Sequence, residues 1–174
     1  CGTWYYVDHG RINWDYTGLT KYYSTWYMVV NGQLDWNFTN LTKYYGTWYY
    51  VENGKLNWNY TDLFQYFGTW YCIRGGVLDW NYTGLAYHAG SYYYINHGVL
   101  DWNYSGSAQI DGKGRYYEVV NGVMVYSALD KMRGLVRNET SPTNYIILVD
   151  RAAHRVGIFK GGKNNWQDVQ YYKC

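Results

Sequence analysis

Five tryptophans recur at a fixed interval, Trp14, Trp36, Trp58, Trp80 and Trp102, each followed two residues later by Tyr16, Phe38, Tyr60, Tyr82 or Tyr104. Flat aromatic faces can stack on sugar rings, and grouped around a point they can cage a quaternary ammonium through the ring quadrupole. These ten side chains are therefore the candidate ligand-binding residues. Most aromatics in such a chain must still serve as core, because each one buries about 150–250 Å². Between and beside them runs a polar series, Asp35, Asn57, Asp79 and Asp101 with Asp15, Asn37, Asn59, Asn81 and Asn103. It reads as the solvated face of the repeats, suited to hydrogen bonding with glycan hydroxyls. Stacked carboxylates could instead offer oxygens to Ca²⁺, but the spacing matches no calcium loop.

Classical catalytic chemistry finds no foothold. His9, His88, His97 and His154 fall at unlike positions, and no histidine, cysteine and carboxylate constellation forms. No catalytic residue, metal ligand or cofactor site is expected. Cys1, Cys72 and Cys174 share no spacing suited to zinc or a disulfide framework. Cys72 takes a place that is most often Tyr in matching repeats and reads as a small buried hydrophobe. The Asn-x-Thr/Ser sequons at Asn37, Asn59, Asn81 and Asn103 are by-products of the repeat.

The elements that position these residues follow from the repeat itself. Trp4, Trp26, Trp48 and Trp70, with Tyr92 in the fifth place, form a second series, and Gly10, Gly32, Gly54, Gly76 and Gly98 a third, all at 22-residue steps. The consensus is G-T-W-Y-Y-V-x-N-G-x-L-D-W-N-Y-T-G-L-x-x-Y-Y. Trp48 to Val51 favours a strand, and Asn53-Gly54 suits a turn with positive φ. Leu56 to Tyr60 alternates, which predicts a return strand with Leu56, Trp58 and Tyr60 on one face and Asn57 and Asn59 on the other. Leu63, in the connector, is placed to plug the gap between neighbours. An isolated hairpin is marginal in water, so the units must stack to share a core. The fold class predicted is all-β, a solenoid of stacked β-hairpins.

A sixth unit departs from the pattern. Gly122 follows Gly98 by 24 residues because Ser105 to Gly114 carries an insertion, and Val125 and Tyr126 replace the polar residue and the Trp. This unit is expected to close the array. Three regions follow: repeats over 1–126, a linker over 127–142 with the potential for a short amphipathic helix, and a β domain beginning at 143. In that last region Tyr145 to Val149, Arg155 to Phe159 and Trp166 to Tyr172 read as strands. The charge divides likewise. Residues 1–129 hold 7 basic and 9 acidic side chains (−2) and residues 130–174 hold 8 and 4 (+4), summing to the net +2. So small a net charge speaks against nucleic acid as the partner, and no 18-residue apolar run predicts a membrane span. The pattern is already under way at Cys1 and still running at Cys174, so the chain is expected to be a piece of a longer protein, with the β domain truncated.

The W-Y-Y-V/I-x-N-G-x-L-D-W-N-Y units resemble the cell-wall-binding repeats of Gram-positive surface proteins, relatives of choline-binding and glucan-binding repeats whose hallmark is G-W-Y-Y-x-x-x-x-G. The Asp/Asn-Trp-Asn segment departs from the choline-binding form. Residues 143–174, through Tyr145 to Asp150, Arg155 to Gly161 and Trp166 to Cys174, look like the opening strands of an L,D-transpeptidase catalytic domain. That family's S-H-G-x-x-C motif would lie downstream, and Cys174 does not correspond to its nucleophile. The resemblance implies a secreted, cell-wall-associated protein whose repeats bind peptidoglycan or another wall glycan and anchor a peptidoglycan cross-linking enzyme. The alternative is a spacer or adhesin stalk that binds nothing.

Overall fold

The computed structural model describes residues 2–173; Cys1 and Cys174 lie outside the described residues. Its contacts divide the chain into two compact units, 1–123 and 124–174.

The first unit is a stack of hairpins, as the 22-residue period requires, but the hairpin sits elsewhere in the repeat. Five-residue strands (Gly18–Tyr22, Asn40–Tyr44, Asp62–Tyr66, Gly84–His88) pair with six-residue strands that follow them (Thr25–Val30, Thr47–Glu52, Thr69–Arg74, Ser91–Asn96). In the second of these, Leu41 faces Tyr50 and Tyr44 faces Thr47. Its turn is Tyr45-Gly46, with φ of +45° and +86°, the signature of a type I′ turn. The segment read as a connector is thus half of the principal hairpin.

Asn53-Gly54 does turn, at φ +50° and +72°, but the expected return strand stops after Lys55–Leu56. A local hydrogen bond ends it. The Asn59 amide donates to Asn57 Oδ1 at 2.9 Å, and the Tyr60 amide donates to the Asn57 carbonyl at 3.3 Å. An Asn or Asp side chain that captures the backbone two residues on offers an alternative to the ladder. The same bond recurs at Asn13, Asp35, Asp79 and Asp101. Much of the polar series therefore caps turns, and Leu56, Trp58 and Tyr60 do not share one face.

Each Asn-Gly type turn is the joint between units. The Tyr50 amide donates to the Gly76 carbonyl at 2.9 Å, and the Gly76 amide donates to the Tyr60 carbonyl at 2.8 Å. Equivalent pairs run through Gly54, Gly98 and Gly122. Buried clusters cross these joints: Leu41 and Tyr50 with Ile73 and Leu78, and Leu63 and Cys72 with Ile95 and Leu100. Leu63, only 2% exposed, fills the gap expected of it. In the sixth unit the insertion lengthens a hairpin, Gly106–Ile110 with Lys113–Val120. Its Ile110 pairs in parallel with Leu85.

Cys72 is a free, buried cysteine whose thiol is pushed up to about 12, chiefly by burial. Only the thiolate reacts, so with Cys1 and Cys174 replaced by Ser, Cys72 should react with a disulfide reagent at pH 8 about a thousandfold slower than a free thiol. Thiol release followed with and without denaturant checks this; rapid native-state labelling would contradict the burial.

The second unit contains the helix Ala128–Val136 and an antiparallel sheet, Tyr145–Asp150, Arg155–Lys160 and Gln167–Lys173. Of the two forms open to the segment over 127–142, the helix is the one formed. Ser127 accepts from the Asp130 amide and the Asp130 carboxylate accepts from the Ser127 amide, a capping box. Its buried Met132 and Val136 pack on the buried Phe159. Arg133 ties helix to sheet, its Nη2 2.9 Å from the Asp168 carboxylate. Among the described residues no helix is long and apolar enough to cross a membrane.

Candidate ligand-binding aromatic pairs

Aromatic contacts of the array recur with the repeat, and three families of them bear on the candidate site. The first is interior. Tyr6 stacks on Tyr16 at 3.9 Å, Tyr50 on Tyr60 at 3.8 Å and Tyr94 on Tyr104 at 3.6 Å between ring centroids. The inner hydroxyls are satisfied: Tyr16 donates to the Leu19 carbonyl, Tyr60 to Leu63, Tyr82 to Leu85 and Tyr104 to Ser107. Burial raises the Tyr60 hydroxyl to about 12 and lifts Tyr82 further. Phe38 occupies the same place beside the cluster of Leu19, Met28, Val51 and Leu56. Tyr16, Phe38, Tyr60, Tyr82 and Tyr104 are thus drawn inward, with Tyr82 buried.

The second family is superficial. Trp14, Trp36, Trp58, Trp80 and Trp102 are 39–57% exposed. Each is the middle residue of an Asx turn, and each meets edge-on a tyrosine nine residues earlier in the chain. The pairs are Tyr5–Trp14, Tyr27–Trp36, Tyr49–Trp58, Tyr71–Trp80 and Tyr93–Trp102, with centroids 5.6 to 6.0 Å apart and ring planes at 77° to 84°. The tyrosine partners were not singled out from the sequence. Their signal was present, since this second position of each Trp-Tyr run is Tyr in all five repeats.

A third residue completes each niche from the next unit. Across the sheet Gln33 faces Tyr5, Lys55 faces Tyr27, Val77 faces Tyr49, Val99 faces Tyr71 and Val123 faces Tyr93. At the second niche the lysine supplies its own ammonium: Lys55 Nζ lies 6.0 Å from the Tyr27 ring centroid and 5.5 Å from that of Trp36. Two perpendicular rings converging on one cation form an aromatic cage. Three niches have valine in the lysine's place, leaving two rings and an apolar wall.

The third family lies along the neighbouring strands, where Trp4 meets Tyr22, Trp26 meets Tyr44, Trp48 meets Tyr66 and Trp70 meets His88 at 4.9 to 5.5 Å. Among the described residues no three histidine, cysteine or carboxylate groups gather closely enough for a metal ion.

A search of curated proteins returned no match. Residues 15–35, 37–57, 59–79 and 81–101 match the family model of the choline-binding repeat. The matched stretches contain the turn glycines of the joints, and Trp14, Trp36, Trp58, Trp80 and Trp102 fall just outside them. Repeats of this kind bind choline- or glycan-type ligands of the cell wall and occur in surface or wall-associated proteins. Four tandem stretches of the chain are thus similar to the choline-binding repeat.

Proposed function

We propose that the array is a multivalent binder of wall polymers, and that the exposed tryptophans with their tyrosine partners hold the cationic or sugar groups of those polymers. The observation that carries this reading is Lys55, whose ammonium lies against Tyr27 and Trp36. An exposed cation–π contact contributes roughly 0.5–1 kcal/mol, so a single niche is weak. Several niches on one rigid array facing a repetitive polymer multiply that weak affinity into avidity.

In this reading the protein is secreted by a Gram-positive cell, and the repeats hold an L,D-transpeptidase at the peptidoglycan it cross-links. Support for the enzyme comes from residues 143–174, whose strand pattern resembles the opening of that catalytic domain. The cysteine nucleophile would be supplied by sequence beyond this chain. The half-exposed tryptophans favour binding over a non-binding stalk, which would bury them.

Sedimentation with purified Gram-positive walls tests the reading. The full chain should pellet with the walls, and the triple variant Trp58→Ala, Trp80→Ala, Trp102→Ala should stay in the supernatant while keeping its circular dichroism. Equal pelleting of the two proteins would refute it.

A further inference from the structure

One joint of the array is built differently from the others. In the third repeat the Tyr50 ring stacks on Tyr60 at 3.8 Å, and Phe64 meets Tyr50 edge-on at 5.0 Å. The same two places in the next repeat are Cys72 and Ala86. Tyr82, the counterpart of Tyr60, is kept, but two rings are missing. Their space is a hollow of about 360 Å³ lined in part by Cys72, Tyr82 and Ala86, within the usual range of small-molecule sites. Packing in protein interiors leaves few such voids, and at the place of Cys72 the other repeats carry the larger Tyr6, Met28, Tyr50 and Tyr94.

The mouth of this hollow carries charges that the repeat consensus lacks. Arg74 stands where its counterparts are Asp8, Val30, Glu52 and Asn96. Its guanidinium lies over the Tyr82 ring at 4.8 Å and 3.5 Å from the Asp111 carboxylate. Asp111 is delivered by the lengthened hairpin of the sixth unit. On the opposite strand Asp62 lines the same hollow, and its Oδ1 lies 2.8 Å from His88 Nδ1. Arg74, Asp111 and Asp62 all keep substantial contact with water, their side chains 40–59% exposed.

We infer that this hollow is a second binding site, distinct from the tryptophan niches, for a small zwitterion such as an amino acid or a short peptide end. A carboxylate is received by the Arg74 guanidinium, whose fork suits two parallel hydrogen bonds. An ammonium is received by Asp62 and Asp111. A short apolar side chain rests on Cys72 and Ala86, where the rings are absent. Neither a neutral sugar nor a quaternary ammonium uses both signs of charge, and the latter has no N–H to give the carboxylates.

The probe is alanyl-alanine added to the full chain, followed by amide chemical shifts. Saturable shifts should map to the residues around Leu85, Ala86 and Ile110. N-acetyl-alanyl-alanine and alanyl-alanine amide, each lacking one charge, should bind at least roughly tenfold more weakly. Arg74→Ala should weaken alanyl-alanine by a similar factor. Cys72→Tyr with Ala86→Phe, which restores the side chains of the preceding repeat, should abolish binding. Should that double variant misfold, Arg74→Ala and the two capped dipeptides decide alone. Absence of shifts up to millimolar dipeptide, shifts that map elsewhere, or equal binding of the capped forms would overturn the assignment.

Discussion

Gly54→Ala should destabilise the array by roughly 2–4 kcal/mol, a large effect for adding one methyl group. Two costs combine. At φ +72° an L-residue loses roughly 1–2 kcal/mol against glycine. The added Cβ would also sit 2.5 Å from the Asp35 carbonyl oxygen and 3.0 Å from Trp36 Cα, both backbone atoms of the preceding unit. Backbone cannot swing aside as a side chain can, so the turn must retreat and loosen the Gly54 bonds to Phe38 and Met28. Gly46→Ala is the matched control. Its φ is +86°, but its Cβ would meet nothing within 4 Å, so only the conformational cost of roughly 1–2 kcal/mol applies. Denaturant midpoints of the two variants measure the difference; equal losses would mean that the joint is not closely packed. A repeat stack passes stability from neighbour to neighbour, so the damage at Gly54 should reach the units on both sides.

In the second unit, Phe159→Ala should unfold the sheet. Phe159 is fully buried beneath Met132 and Val136 of the helix, and removing such a ring costs about 3–5 kcal/mol. A unit of some 51 residues has little reserve against that loss. Hydrogen exchange at Tyr145–Asp150 should pass from protected to unprotected, and persistent protection would refute the packing. The same reasoning places the workable cut before the helix. A piece beginning at 143 exposes Phe159 and should be disordered, whereas a piece beginning at 124 retains the cover.

How far the sequence revealed these features depends on which force decided each one. The period, the joint glycines, Leu63 and the strands of the second unit could all be read, because burial and positive φ leave marks in residue type. The return strand over 56–60 was misread because alternation in Leu-Asn-Trp-Asn-Tyr looks the same whether or not Asn57 captures the backbone at Asn59. The main hairpin turn was hidden because Tyr45 is an improbable residue at positive φ, imposed here by the strands on either side. For the site, the tryptophan series was visible as a repeat. Its tyrosine partners were concealed by their own abundance, since two adjacent tyrosines serve different faces: Tyr50 stacks inward on Tyr60, whereas Tyr49 meets Trp58. The hollow at Cys72 needed three dimensions, for Ala86 and Asp111 come to it from two other hairpins.

The most direct measurement is tryptophan fluorescence of the full chain titrated with choline and, in parallel, with 3,3-dimethylbutanol, which has the same shape without the charge. Aromatic cages holding a cation predict a saturable change with choline, a response at least roughly tenfold weaker with the neutral analogue, and no change with choline in the Trp58→Ala, Trp80→Ala, Trp102→Ala variant. Equal responses to the two molecules, or an undiminished response in the triple variant, would contradict the assignment of the exposed tryptophans as cation sites.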